Sequence, residues 1–141
     1  MFEISIDSIE EYKSKSLLTP DCGAVVTFEG RVRNHNEGQC VDSLEYEVYK
    51  TLAEKEGEKI LQNAKVKFHI INAFCIHRIG HLQIGDLAVW IGVTSKHRRE
   101  AFKACEFIIN SVKEAVPIWK KENYCDKSIE SKWVYCQEDY H

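Results

Sequence analysis

The sequence predicts an α+β domain, with helices packed on a mainly antiparallel sheet. Three observations carry this reading. Residues 2–6, 24–33, 41–49 and 87–94 run apolar or alternate apolar with polar, the period of a β-strand. Residues 51–64 and 95–116 repeat apolar side chains every three or four positions, the period of a helix. The resulting order, roughly βαββαββαβ, sets strands beside one another in hairpin fashion. No repeat, low-complexity run or long linker divides the chain, so residues 1–141 are expected to form one domain.

Each element has its own signal. Phe2, Ile4 and Ile6 alternate with polar residues in a short first strand. Asp7 or Ser8 then caps a helix whose apolar side is Ile9, Tyr12 and Leu17. Thr19-Pro20-Asp21-Cys22-Gly23 is a breaker cluster. Strand 24–33 starts apolar and turns basic, and on a regular strand Arg31 and Arg33 share a face. Residues 34–38 form a loop. Leu44, Tyr46 and Val48 alternate with Glu45 and Glu47, giving a half-buried strand antiparallel to the previous one. Thr51 and Glu54 make a capping box for a second helix. Leu52, Ile60, Leu61 and Ala64 face inward on it, and Gly57 weakens its middle. Residues 66–79 read as a strand and 81–86 as a connection. Residues 87–94 form a strand with Leu87, Val89, Ile91 and Val93 on one face. Beyond 122, a polar connection leads to a short last strand near 132–137 and a charged, mobile tail, 138–141.

The chain is organised around residues 94–122, TSKHRREAFKACEFIINSVKEAVPIWKKE. Ser95 caps the first helical turn. His97, Arg98 and Arg99 follow at once. Cations in a first turn oppose the helix dipole, and an anion bound among them removes the conflict. Phe102, Cys105, Ile109, Val112 and Val116 form the buried stripe, with Lys113 at its edge. Pro117 ends the helix, and Trp119, Lys120, Lys121 and Glu122 come next. Taken singly, each cation has an ordinary explanation. A lysine in a last turn complements the dipole, and WKKE is an ordinary surface sequence. Together they put one cationic cluster at the helix start and two lysines around its end.

Composition excludes several classes. A hydrophobic fraction of 44% and a charged fraction of 29% fit a soluble globular chain with one sizeable core. The net charge of −3 disfavours a nucleic-acid partner, so any basic patch is local. MFEISIDSIEEYK lacks the basic start and apolar run of a secretory signal. No apolar stretch approaches the ~20 residues of a membrane span. A cytoplasmic location without a membrane partner is the expectation. Six cysteines occur, at 22, 40, 75, 105, 125 and 136, none closer than 125 to 136. That spacing excludes C-x-x-C knuckles, and without a secretory signal a disulfide framework is not expected. They read mostly as small buried hydrophobes. His77 and His81 lie four apart with Gly80 between them and strand-like flanks, so no metal site is expected.

Three stretches, GAVVTFEGRVRNHNEG, VTSKHRREAF and KEAVPIWKKE, together resemble signature segments of the large, catalytic subunit of molybdopterin synthase, the MoaE family. HRIGHLQIGD is similar to that family's HRIG-x-L-x-x-GD stretch. The resemblance covers residues 22–122 and reaches the last strand through KWV. NYCDKSIESK departs from it, being longer and poorer in glycine than the family's connection. The resemblance implies an α/β-hammerhead fold and a homodimer within a heterotetramer. The other subunit would be a small ubiquitin-like sulfur carrier (MoaD-like) ending in Gly-Gly, its C-terminal thiocarboxylate donating the sulfur. The implied substrate is cyclic pyranopterin monophosphate (precursor Z), and two sulfurs make the dithiolene of molybdopterin. No cofactor is implied. Carried over residue by residue, Arg31, Val32 and Arg33 match the substrate-binding strand end. His97 and Arg98 match the anion-binding pair. Lys113 and Lys120 match the catalytic lysines, which also bind substrate, and Lys121 and Glu122 line or orient the site.

The residues suit that chemistry. Arg33, His97 and Arg98 can give charge-assisted hydrogen bonds to a phosphate. Moving protons on and off carbon and oxygen is general acid–base work, and crowded cations fit a lysine for it near neutral pH. Two other readings stay open: a module that docks a ubiquitin-like tail without catalysis, and a different phosphate-ligand enzyme. If this chain carried its own sulfur, Cys22, Cys40 and Cys125 are the serious candidates, because the others fall in apolar runs.

Overall fold

The structure, a computed structural model, describes residues 1–9 and 18–136. The helix expected after Asp7 and the tail at 138–141 lie outside the described residues, apart from Asp7 to Ile9. Two sheets form. The first has the order β1-β5-β7-β2, from β1 (Phe2–Ser5), β5 (Asn72–Arg78), β7 (Leu87–Ser95) and β2 (Ala24–Arg31). The second runs β3-β4-β8-β9, from β3 (His35–Asn36), β4 (Gln39–Val48), β8 (Ile118–Tyr124) and β9 (Trp133–Tyr135); β6 (Gly80–Gln83) also pairs with β4. Every pairing is antiparallel except β1 with β5. Helices α1 (Lys50–Phe68) and α2 (Arg98–Ala115) pack on each other and on the first sheet. The α+β class expected from the alternation is what forms.

β7 is the centre of the first sheet, and all nine of its residues are buried. Val89, Ile91 and Val93 join the main core, while Leu87 and Trp90 join a second cluster with Ile9 and Ile76. A strand covered on both faces cannot show a clean alternation. β4 does not pair with β2 as expected; its partners are β3, β6 and β8. The chain leaves the first sheet after Arg31, at an irregularity in the ladder, and Val32 crosses between Asp86 and Gly85.

Several boundaries differ from the sequence reading. Helix α1 begins at Lys50 with Tyr49 as its cap residue, and no side chain caps it, so the Thr51–Glu54 box does not form. It runs to Phe68, beyond the expected strand start at 66. Lys65 and Lys67 complement its dipole, and His69 ends it at a φ of 55°. Leu52 is exposed, and Ala53, Gly57, Ile60, Leu61 and Ala64 face inward. Gly57 is there for contact: a Cβ at that position would run into the Phe2 ring. Residues 80–83 form β6 instead of a connection, with Gly80 turning the chain at a φ of 89°.

Helix α2 starts at Arg98, not at Ser95, which is the last and buried residue of β7. Its inward residues are Ala101, Ala104, Cys105, Ile108 and Val112. Phe102 is 61% exposed, so the stripe is turned by about one residue from the expected one. Small alanines let the helix sit close to the sheet, whereas a stripe drawn on the largest side chains misses them.

A disulfide joins Cys40 to Cys125, contrary to expectation. It ties the start of β4 to the residue after β8, where Cys125 N–H also donates to the Cys40 carbonyl at 3.0 Å. Sequence spacing could not reveal it, because an 85-residue separation is closed only by the β4–β8 ladder. No helix of the described residues is long and apolar enough to cross a membrane.

Candidate functional site

A cleft of about 210 Å³ opens between the two sheets. Phe28, Leu44, Tyr46, Ala88 and Val89 form its apolar walls. Its charged, imidazole and amide groups come from five elements or their ends: Arg31 at the end of β2 and Arg33 after it, His35 and Asn36 from β3, His77 from β5, Lys113 from α2, and Lys120 and Glu122 from β8.

Pro117 explains how one helix end and the next strand share this cleft. Proline cannot continue the helix, and Val116 turns to an extended conformation with φ −80° and ψ 127°. The chain enters β8 at once, so Lys113 and Lys120 flank a single bend. WKKE is therefore a strand. Its alternation sends Lys120 and Glu122 to the cleft and Lys121 to the other face. Lys121 Nζ sits 2.9 Å from Glu45 Oε2 and lies over the Trp133 ring at 5.2 Å. The structure thus separates Lys121 from Lys120 and Glu122.

Glu122 is 7% exposed and holds the polar end together. Its Oε1 accepts from Asn36 Nδ2 at 2.8 Å and lies 3.9 Å from Lys120 Nζ. Asn36 Oδ1 in turn accepts from Arg33 Nη2 at 3.4 Å. Arg33 is exposed at the mouth, where an incoming anion would meet it. Arg31 lines the edge, tethered to the Gly85 carbonyl at 2.8 Å and Glu29 at 2.9 Å. Val32 is buried and does not line the cleft; its backbone N–H and carbonyl fix the strand end.

His97 and Arg98 are not in this cleft. They are exposed at the far end of α2, and the fifteen residue steps from Arg98 to Lys113 span roughly 22 Å of helix. Within one chain the two cationic groups stay apart. Three cleft residues carry no site signal of their own in the sequence: His35 and Asn36 fall in the expected loop 34–38, and His77 falls in an expected strand. The signal for the first two was their place directly after Arg33 in RVRNHNEG.

None of the six cysteines lines the cleft. Cys40 and Cys125 are bonded to each other, and Cys22 Sγ lies 3.3 Å from the Ala24 carbonyl. Burial pushes the Cys105 thiol up to about 11 and the Cys75 thiol higher still. Neither is a thiolate near neutral pH.

The MoaE protein family matches residues 3–115. A molybdopterin synthase catalytic subunit from Thermoplasma volcanium is 48% identical over 103 residues, 73% of this chain and 75% of the relative. One from Staphylococcus carnosus is 40% identical over 141 residues, 99% of this chain and 92% of the relative. The crystal structure of molybdopterin synthase from Staphylococcus aureus superposes with a TM-score of 0.86 at 42% identity, covering 94% of this chain and 96% of that one.

Proposed function

This chain belongs to the MoaE family, the catalytic subunits of molybdopterin synthase, and on that premise we propose that it moves two sulfurs onto cyclic pyranopterin monophosphate. The donor is the C-terminal thiocarboxylate of a small ubiquitin-like subunit. Each carrier brings one sulfur, so two are consumed per dithiolene formed. The observation that carries the reading is the placement of Lys113 and Lys120, from a helix end and the following strand, in one cleft with Arg33 and Glu122.

The roles follow from position. Lys113 and Lys120 are the acid–base pair, converging on the reacting carbons from two elements. Glu122 aims Lys120 and, through Asn36, fixes the hairpin that carries His35. Arg33 at the mouth takes the phosphate, and Arg31 shapes the edge beside it. A homodimer offers a second α2 start, and its exposed His97 and Arg98 complete the anion site from the neighbouring copy. Apolar walls exclude water from the intermediate, which suits a thiol ester or thiolate that water would compete for.

The test is mass spectrometry of the product after mixing the protein with thiocarboxylated carrier and cyclic pyranopterin monophosphate. A product carrying two added sulfurs is expected, and none with the unsulfurated carrier. No sulfur-containing pterin from the complete mixture would overturn the reading.

A further inference from the structure

One polar side chain in the cleft is used neither by the lysine pair nor by the phosphate ligands. His77 sits on β5 between Val89 of β7 and Ile4 of β1 in register. It is 1% exposed, yet its ring forms part of the inner cleft wall, edge-on to Tyr46 at 5.0 Å between centroids. Its Nδ1 lies 2.8 Å from the Arg78 carbonyl oxygen. A carbonyl can only accept, so Nδ1 carries the proton. In the neutral ring, Nε2 then holds a bare lone pair. Burial first, and the Lys113 charge second, lower its pKa to about 4, so the ring is neutral in ordinary buffer. Nε2 has no hydrogen-bond partner among the described residues.

Two of the cleft's other side-chain acceptor oxygens, Glu122 Oε1 and Asn36 Oδ1, are committed. Glu122 takes Asn36 and faces Lys120, and Asn36 takes Arg33. Donors, by contrast, abound. Such a lining holds a phosphate but offers little to the N–H and O–H groups of a pterin. We propose that His77 recognises the substrate, its Nε2 accepting a hydrogen bond from an N–H or O–H of the bound pterin. This rests on reading the cleft as the pterin site. A histidine kept only for packing would have no reason to change on ligand binding.

The experiment uses the full chain with ¹⁵N-labelled histidine and cyclic pyranopterin monophosphate, without carrier. Before ligand, the His77 nitrogens should show the Nδ1–H tautomer. At saturation the Nε2 resonance should shift. His77→Phe, which keeps a ring but no acceptor, should bind the substrate roughly tenfold more weakly by calorimetry. His77→Gln, whose amide oxygen can accept, should recover much of that loss. A proton on Nε2 in the free protein, an unmoved Nε2 at saturation, or unchanged affinity in folded His77→Phe would each overturn the proposal. If His77→Phe does not fold, the wild-type Nε2 shift decides. Substrate that binds while Nε2 stays unmoved refutes this inference alone; substrate that never binds refutes the site reading with it.

Discussion

Asn36 donates its side-chain amide to Glu122 Oε1 at 2.8 Å, across 86 positions of sequence. That bond closes the β3–β4 hairpin onto the β8 strand, and the same carboxylate oxygen lies 3.9 Å from Lys120 Nζ. Glu122 therefore does two separable things. Glu122→Gln keeps an acceptor for Asn36 but loses the charge that aims Lys120. We expect turnover to fall about tenfold or more with the fold unchanged, because misplacing a catalytic group is costly. Steady-state rates and circular dichroism check this; full activity in Glu122→Gln would remove Glu122 from the mechanism.

The two neighbouring lysines should behave in opposite ways. Lys120→Ala removes a proposed acid–base group and should cost about a hundredfold or more in turnover. Lys113→Ala should be severely impaired as well. Lys121→Ala breaks a partly exposed pair with Glu45 on the far face of the strand, so turnover should stay within about threefold. Equal losses for Lys120→Ala and Lys121→Ala would mean that the strand's alternation does not set the site.

The anion ligands can be tested through the substrate. Arg33→Ala should weaken binding of the phosphorylated pterin and scarcely affect the dephosphorylated one. Arg98→Ala should do the same if a second copy completes the site. Mixing Arg98→Ala with Lys120→Ala protein should then restore activity, because a mixed dimer contains one cleft with both residues intact. Failure of the mixture, with mixed dimers shown by mass spectrometry, would mean that Arg98 does not complete the cleft of the neighbouring copy.

Much of this site was legible as residues and not as geometry. Arg33, Lys113, Lys120 and Glu122 stand in the stretches that resemble the family, and they meet in the cleft. The orientation of Lys121 was not legible, because WKKE after a proline shows no strand pattern until β4 and β9 pair on either side of it. The α2 stripe was displaced for a similar reason: burial follows which face meets the sheet, and Ala101 and Ala104 signal that more weakly than Phe102 does. His97 and Arg98 gave a sound cationic signal, but one chain cannot join it to Lys113 across the length of α2. The Cys40–Cys125 bond was invisible because long-range strand pairing creates it.

Gly57 looks like a defect in a helix, and Gly→Ala in an exposed helix interior gains about 1 kcal/mol. Here the added methyl would meet the Phe2 ring. Phe2 is 4% exposed, held in the core by the β1–β5 pairing, so it has little room to yield. Gly57→Ala should lower stability by about 1–3 kcal/mol, the usual cost of overpacking. Urea denaturation reads this directly, and a stabilised variant would show that β1 gives way easily.

The disulfide gives a prediction in which stability and catalysis part. Cys40 and Cys125 are both exposed, so a small reductant reaches them. Opening the bond, by dithiothreitol or by Cys40→Ser, should lower stability by about 2–4 kcal/mol. Neither residue lines the cleft, and β4 and β8 remain hydrogen-bonded, so turnover below the melting range should change little. Chemical denaturation with and without reductant measures the first effect. Identical midpoints would mean that the cross-link does not form in solution.

The last prediction concerns acid. His77 is buried, and burial together with Lys113 lowers its pKa from 6.5 to about 4. The surrounding charges are Lys113 on α2, Lys120 and Glu122 on β8, Arg31 at the end of β2 and Arg33 after it; among these only Glu122 is anionic. The unfolded chain therefore takes up a proton on this residue at a pH where the folded chain does not. The contribution to stability is complete above about pH 6.5, declines as the pH falls toward 4, and is flat below that. A difference of this size corresponds to about 3 kcal/mol. Urea midpoints measured between pH 7 and pH 4 should fall, and fall less in His77→Phe, which has nothing to protonate there. Carboxylates also titrate toward the lower end of the range, so the informative quantity is the difference between the two proteins. Parallel curves from pH 7 to pH 4 would show that His77 is protonated as readily in the fold as outside it. In that case the Nε2 acceptor assigned to the substrate would be lost to protonation below about pH 6.5 instead of near pH 4.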